Sequence, residues 1–191
     1  MTTLKFPLLA LSLTCLAAGA TACGTSEAAS KPRTDTRASS ALAREMLAAH
    51  NEVRARAKPK PKTPLAPLTW SPEAAKVAQA WANQCQFEHN KKRGKFGENL
   101  AAAAPPGSKT DREAVLDWAS EVADYSYASN KCAPGKMCGH YTQLVWSTTT
   151  QVGCATAVCT KNSPFGARFP TWQLWVCNYA PPGNFVGQKP Y

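Results

Sequence analysis

No run of this sequence is long and apolar enough to span a bilayer. The apolar stretch within residues 6–18 falls short of the roughly 20 residues a spanning helix needs. No two cysteines form a CxxC. Cys132 and Cys138 are six apart, Cys154 and Cys159 are five apart, and neither pair has the partnering histidines of a zinc finger. There is no HExxH or comparable local metal motif and no internal repeat. A helix-turn-helix, a zinc knuckle and an aromatic sheet signature are also missing, which argues against a nucleic-acid partner. Acidic residues are few: 12 Asp and Glu against 22 Lys and Arg leave a net charge of +10.

What is present fits one exported domain. The chain has 191 residues, 44% hydrophobic and 18% charged, with six tryptophans to fill a core. Eight cysteines in so short a chain point to an oxidising compartment. Residues 1–22 read as a signal peptide, with Lys5, an apolar stretch and the small residues Ala20-Thr21-Ala22. Cys23 after Ala22 resembles a lipobox cysteine, although Ala20 stands where leucine is usual. Lipidation at Cys23 would anchor the chain to a membrane and leave an even six cysteines beyond the signal. Residues 23–40 are small and polar and read as a flexible tether. The excess positive charge favours an anionic surface, lipid or wall polymer, as partner; its commonplace alternative is a solvated basic surface.

Within residues 41–191, apolar spacing predicts a helix capped by Ser39 or Ser40, with Leu42, Met46, Ala49 and Val53 on one face and His50 and Asn51 beside it. Residues 54–62 (RARAKPKPK) read as a solvated basic loop ended by prolines. Ser71-Pro72-Glu73 opens a second helix, whose stripe is Ala74, Ala78, Trp81 and Cys85. Gly97-Glu98-Asn99-Leu100 reads as a strand edge or short turn, and residues 101–109 as a loop. A third helix starts at Asp111 with Val115, Trp118, Val122 and Tyr125 on its buried face and Glu121 at the border. Residues 152–159 and 171–179 read as strands.

The stretch Cys138-Gly-His-Tyr-Thr-Gln-Leu-Val-Trp146 is the densest in chemistry. A short helix there places His140 at the edge of a core, with Leu144 and Trp146 buried. The groups available to meet His140 are His89, Glu98 and Glu121. Two imidazoles and two carboxylates suit zinc or a similar divalent ion, or acid–base work on water. Spacing alone does not bring the four together. For a serine-type triad, Ser147 is the serine nearest His140 in sequence, and nothing marks it.

These blocks carry a resemblance. His50-Asn51-Glu52-Val53-Arg54, Leu68-Thr69-Trp70, Phe87-Glu88-His89, Gly97-Glu98-Asn99-Leu100, Trp118 with Glu121, Gly139-His140-Tyr141-Thr142-Gln143-Leu144-Val145-Trp146 and Cys177-Asn178-Tyr179 resemble the CAP superfamily in its own order. That superfamily takes in cysteine-rich secretory, antigen-five and pathogenesis-related proteins. The resemblance implies an α+β fold, a three-layer α-β-α sandwich with a small central sheet. It implies a cleft where His89, Glu98, Glu121 and His140 meet, holding Zn2+ or another divalent metal. It implies the disulfides Cys85–Cys159, Cys132–Cys138 and Cys154–Cys177, where the residues alone allow fifteen pairings. His50, Asn51, Asn99, Gln143 and Trp146 become supporting scaffold. Functions implied for the family diverge: binding of a lipid, sterol or other apolar ligand; a metal-assisted hydrolase of peptides or wall material; or a non-enzymatic defence protein acting through a basic surface. Binding without turnover is the expectation here. Residues 181–191 also resemble a peptide released by plant members, with a tail packed across the sheet as the plainer reading.

Overall fold

The computed structural model describes residues 36–191. The signal, Cys23 and most of the tether lie outside the described residues. Helix α1 spans Thr36–Ala55, so it begins ahead of the serines expected to cap it and takes in the end of the tether. Strand β1 is Thr69–Trp70, and α2 is Pro72–Ala82. Ser71 caps α2 through its side chain, which accepts from the Ala74 amide at 3.1 Å. Strand β2 is Gly97–Ala103, and α3 is Asp111–Ser120, opened by a reciprocal Thr110–Glu113 capping box. A single 3-10 turn, Glu121–Ala123, follows α3. The small hairpin strands β3 (Tyr125–Ser126) and β4 (Lys131–Cys132) come next, then α4 (Gly139–Leu144), β5 (Gln151–Cys159) and β6 (Trp172–Ala180).

The main sheet runs β1-β5-β6-β2, antiparallel except for the parallel β1–β5 pair. Period-2 alternation sorts β6 between two cores. Trp175, Cys177 and Tyr179 face α1, α3 and α4, whereas Trp172, Leu174 and Val176 face α2. These are the three layers of an α-β-α sandwich. Gly153 in β5 lets α2 lie against the sheet: a Cβ there would sit 2.2 Å from the Ala75 nitrogen and 2.4 Å from the Ser71 oxygen. The disulfides are Cys85–Cys159 at the end of α2, Cys132–Cys138 before α4, and Cys154–Cys177 across β5 and β6. Among the described residues, no helix is long and apolar enough to cross a membrane.

Three local expectations give way. Residues 101–103 are not loop; they continue β2, where pairing with β6 and burial outweigh the poor strand propensity of alanine. Val122 and Tyr125 are not on α3, which ends at Ser120 and passes into the 3-10 turn and β3. Arg54 is not part of a solvated loop. It is 2% exposed on α1, and its guanidinium donates to the carbonyls of Ala66, Leu144 and Trp146 at 2.9 Å and of Thr149 at 3.4 Å. A planar fork of five donors suits this fan of backbone acceptors. Burial pulls its pKa down to about 10, so it stays charged at neutral pH.

Candidate metal centre

Strand β2 lies at the sheet edge, and its alternation divides the site. Glu98 and Leu100 turn toward the α2 layer, Asn99 and Ala101 toward the α1–α4 layer. His89, on the segment after α2, approaches Glu98 from one side. His140, in the first turn of α4, approaches from the other. A cavity of about 230 Å³ at this edge is lined by His89, Glu98, Asn99, Met137, His140 and Asn184, with Gly139 beside them.

The four sequence-selected residues form two imidazole–carboxylate pairs. The His89 Nδ1 lies 2.8 Å from Glu98 Oε1, which also accepts the Asn90 amide at 2.9 Å. The Glu98 side chain is fully buried, and its Oε2 has no hydrogen-bond partner. His140 Nδ1 lies 2.6 Å from Glu121 Oε1, while Glu121 Oε2 accepts the His140 and Tyr141 amides, each at 3.0 Å. Glu121 therefore lies behind His140 and is absent from the cavity wall. In both pairs the carboxylate accepts from Nδ1–H, so in the neutral imidazole Nε2 is the lone-pair nitrogen. His89 is 57% exposed at its side chain and His140 18%, so one imidazole is open to solvent and the other is held in the wall. The Trp118 ring stacks behind His140, 6.2 Å between centroids and 20° between planes.

A polar chain ties His140 to the core. The Asn99 amide nitrogen donates to the His140 carbonyl at 3.1 Å and to the Tyr179 hydroxyl at 3.1 Å. The Tyr179 hydroxyl lies 2.9 Å from His50 Nε2, and His50 Nδ1 lies 2.6 Å from the Met46 carbonyl. The amide at one end only donates and the carbonyl at the other only accepts. His50 must therefore carry its proton on Nδ1, and Tyr179 must donate to Nε2. Tyr179, Met137 and Asn184 were missed in the sequence reading. Tyr179 pairs with Gly97 across the sheet, two residues from Asn99 on the same face, and only that placement lets its hydroxyl meet the Asn99 amide. Gln143 is scaffold: its side-chain oxygen accepts the Gly183 amide at 3.0 Å, and its nitrogen donates to Thr149 at 3.2 Å. Asn51 pins residue 68 through both its amide and its carbonyl.

Among the described residues, the His, Cys and carboxylate donors lying mutually within 4.8 Å are those of His50, Cys154 and Cys177. Both sulfurs are in one disulfide, and both His50 nitrogens are hydrogen-bonded, so this group could take a metal only after reduction to thiolates.

Residues 47–179 match the family model described as CAP, cysteine-rich secretory protein family. The chain is similar to peptidase inhibitor 16 of Bos taurus, 42% identical over 146 residues covering 76% of this chain and 31% of that protein; it spans about a third of that relative's length. It is also similar to pathogenesis-related leaf protein 4 of Solanum lycopersicum, 40% identical over 147 residues covering 77% of this chain and 82% of that protein. Among solved structures it resembles venom allergen-like protein 4 of Schistosoma mansoni, with TM-score 0.59 and 28% identity, covering 80% of this chain and 92% of that one. NaASP2, solved with Zn2+, aligns with TM-score 0.62 and 26% identity over 78% of this chain and 85% of that one. With the family model matched from within α1 to the end of β6, and with these relatives at 42% and 40% identity, the chain belongs to the CAP, or cysteine-rich secretory protein, family.

Proposed function

We propose that this domain is an exported binding protein that holds a divalent cation, zinc or a similar ion, at the His89–His140 cavity. The observation that carries the reading is the pairing of each imidazole with a carboxylate at Nδ1, which presents Nε2 as the ligand atom. The donors of His89, Glu98 and His140 do not all lie within 4.8 Å of one another, so an ion would draw these side chains together. Glu98 Oε2 is a buried carboxylate oxygen with no hydrogen-bond partner, a costly arrangement that a cation would relieve. The solved Zn2+ complex of NaASP2 lends support by analogy. A bound zinc ion would supply Lewis acidity and a more acidic water. His89 and His140 would bind, Glu98 would orient His89 through Oε1 and offer Oε2 to the ion, Glu121 would orient His140, and Trp118 would keep solvent from the back of His140. Binding is the role proposed; no catalytic residue is assigned.

Titrating zinc into the full chain by calorimetry, with melting curves alongside, tests this. Saturating zinc should raise the melting temperature, and H89A and H140A should each abolish both the heat and the shift. Zinc binding that survives both substitutions would place the ion elsewhere and end the proposal.

A second role rests on a separate groove of about 250 Å³ between α1 and α3. It is lined by Val53, Leu116, Ala119, Val122 and Tyr141, with Lys58, Arg56 and Glu52 also in its wall and Glu52 paired with Arg56 at 2.8 Å. An apolar trough with cations in its wall suits part of an acyl chain with an acidic head. A119W should block the groove and prevent displacement of a fluorescent fatty acid; unchanged displacement would exclude it.

A further inference from the structure

The basic segment after α1 is built into a wall. Residues 59–66 form one side of a groove of about 660 Å³, with Tyr127, Ser147 and Tyr191 on the other. Both ends of the segment are fixed. The Tyr141 hydroxyl meets the Lys58 amide and carbonyl at 3.2 Å, and the Tyr191 hydroxyl donates to the Pro59 carbonyl at 3.1 Å. Arg54 holds the Ala66 carbonyl at the far end. Prolines 59, 61 and 64 restrict the chain between these anchors, so little ordering remains to be done on binding.

The charged side chains that line this groove are of one sign. Lys60 and Lys62 line it and are exposed; no Asp or Glu lines it, and neither lysine has a carboxylate partner among the described residues. Tyr127 and Tyr191 stack at 4.7 Å and 18°, and Lys189 lies over the Tyr127 ring at 4.7 Å. The Cα atoms of Lys60 and Lys62, separated by one proline, are at most about 7 Å apart, and their exposed side chains can follow acids spaced along a polymer. The groove lining is mainly lysines, prolines and two tyrosines, with Leu65 the one large aliphatic side chain, which favours a polar chain lying along it over insertion into a membrane surface.

We infer that this groove docks a carboxylated polysaccharide, an extended chain of uronic-acid type, whose acids pair with Lys60 and Lys62 and whose sugar rings pack on Tyr191. The inference is independent of the metal reading, because it shares no lining residue with the His89–His140 cavity.

The test uses the full chain and polygalacturonate, with affinity measured across a salt series. Wild type should bind at low salt and weaken steeply as salt rises. K60E/K62E should lose roughly tenfold or more in affinity and show a shallower salt dependence. K91E/K92E, which makes the same charge change on exposed lysines outside the groove, should stay within about twofold. K60Q/K62Q should show a smaller loss in the same direction, and it replaces the Glu variant should that one melt early. Equal loss in K60E/K62E and K91E/K92E would reduce the effect to general charge. Failure to bind the polymer, or binding to phosphatidylglycerol vesicles alone, would overturn the inference.

Discussion

Glu121 grips His140 at two points, its Oε1 at the imidazole Nδ1 and its Oε2 at the backbone amide. The same Oε2 accepts the Tyr141 amide, so one carboxylate both caps the start of α4 and fixes the tautomer of the site imidazole. Helix start and ligand orientation are thus set by a single side chain that reaches back from the end of α3.

That double role separates under substitution. In E121Q the amide oxygen can still accept the two backbone N–H groups, but the NH2 then meets Nδ1 as a donor. The imidazole proton would move to Nε2 and remove the ligand lone pair. Zinc affinity should fall about 10–100-fold, while folding stability drops by about 1 kcal/mol. Calorimetry and urea denaturation on the same preparation check both; an unchanged zinc affinity would mean that Glu121 does not orient the ligand.

Arg54 should be among the most sensitive positions away from the site. R54L takes the guanidinium donor from the carbonyls of residues 66, 144, 146 and 149, of which 146 keeps the Thr149 amide, and should cost about 3 kcal/mol or more. R54K keeps the charge but replaces the fork with a point ammonium that cannot span the same acceptors, so it should recover only part of that loss. Denaturant midpoints for the two variants decide it; near-wild-type stability of R54L would refute the stitching role.

Arg54 also marks where sequence reading stops. Its neighbours in the chain are lysines, prolines and another arginine, and a cation in such company reads as solvated. What buries it is a set of carbonyls about 90 residues away, visible only after α4 has docked on α1. The short helix at His140, the capped starts of α2 and α3 and the final two strands were legible because caps and periodicity are local signals. The extension of β2 through three alanines was not, because its pairing partner lies on β6. The two imidazole–carboxylate pairs belong to the same class: residue types named the four groups, but only the strand alternation at Glu98 and Asn99 shows which carboxylate serves which histidine.

His50 makes stability depend on pH. Burial lowers its pKa from the ordinary 6.5 to about 4, the positive charge of Arg54 pushes the same way, and the bond to the Met46 carbonyl opposes the fall. The folded protein therefore holds His50 neutral where the unfolded chain would protonate it. Between pH 6.5 and about 4 the unfolded state binds more protons, so the contribution is complete above 6.5 and drains away as pH falls toward 4. The full swing is about 3 kcal/mol. Protonation would also put two donors on the Tyr179 hydroxyl and leave its own proton without an acceptor. Comparing urea denaturation of wild type and H50Q at pH 7 and pH 4.5 isolates this group from the carboxylates: wild type should lose more than H50Q over the interval. Parallel losses would show that His50 is not the titrating group.

The disulfides should divide into one that holds the fold and one that holds the site. Cys85–Cys159 closes 74 residues and Cys132–Cys138 closes six. Loop entropy assigns about 4 kcal/mol to the first and about 2 kcal/mol to the second. Cys138, however, is the residue immediately before α4, two positions from His140, and its carbonyl accepts the Thr142 amide in that helix. C85A/C159A should therefore lower the denaturation midpoint the more, yet leave the zinc affinity of the folded fraction near wild type. C132A/C138A should melt closer to wild type but bind zinc more weakly, because the first turn of α4 loses its covalent anchor while Glu121 alone still holds it. Denaturation and zinc calorimetry on both double variants read the two effects separately, and a reversed order in both would mean that the short loop carries the fold.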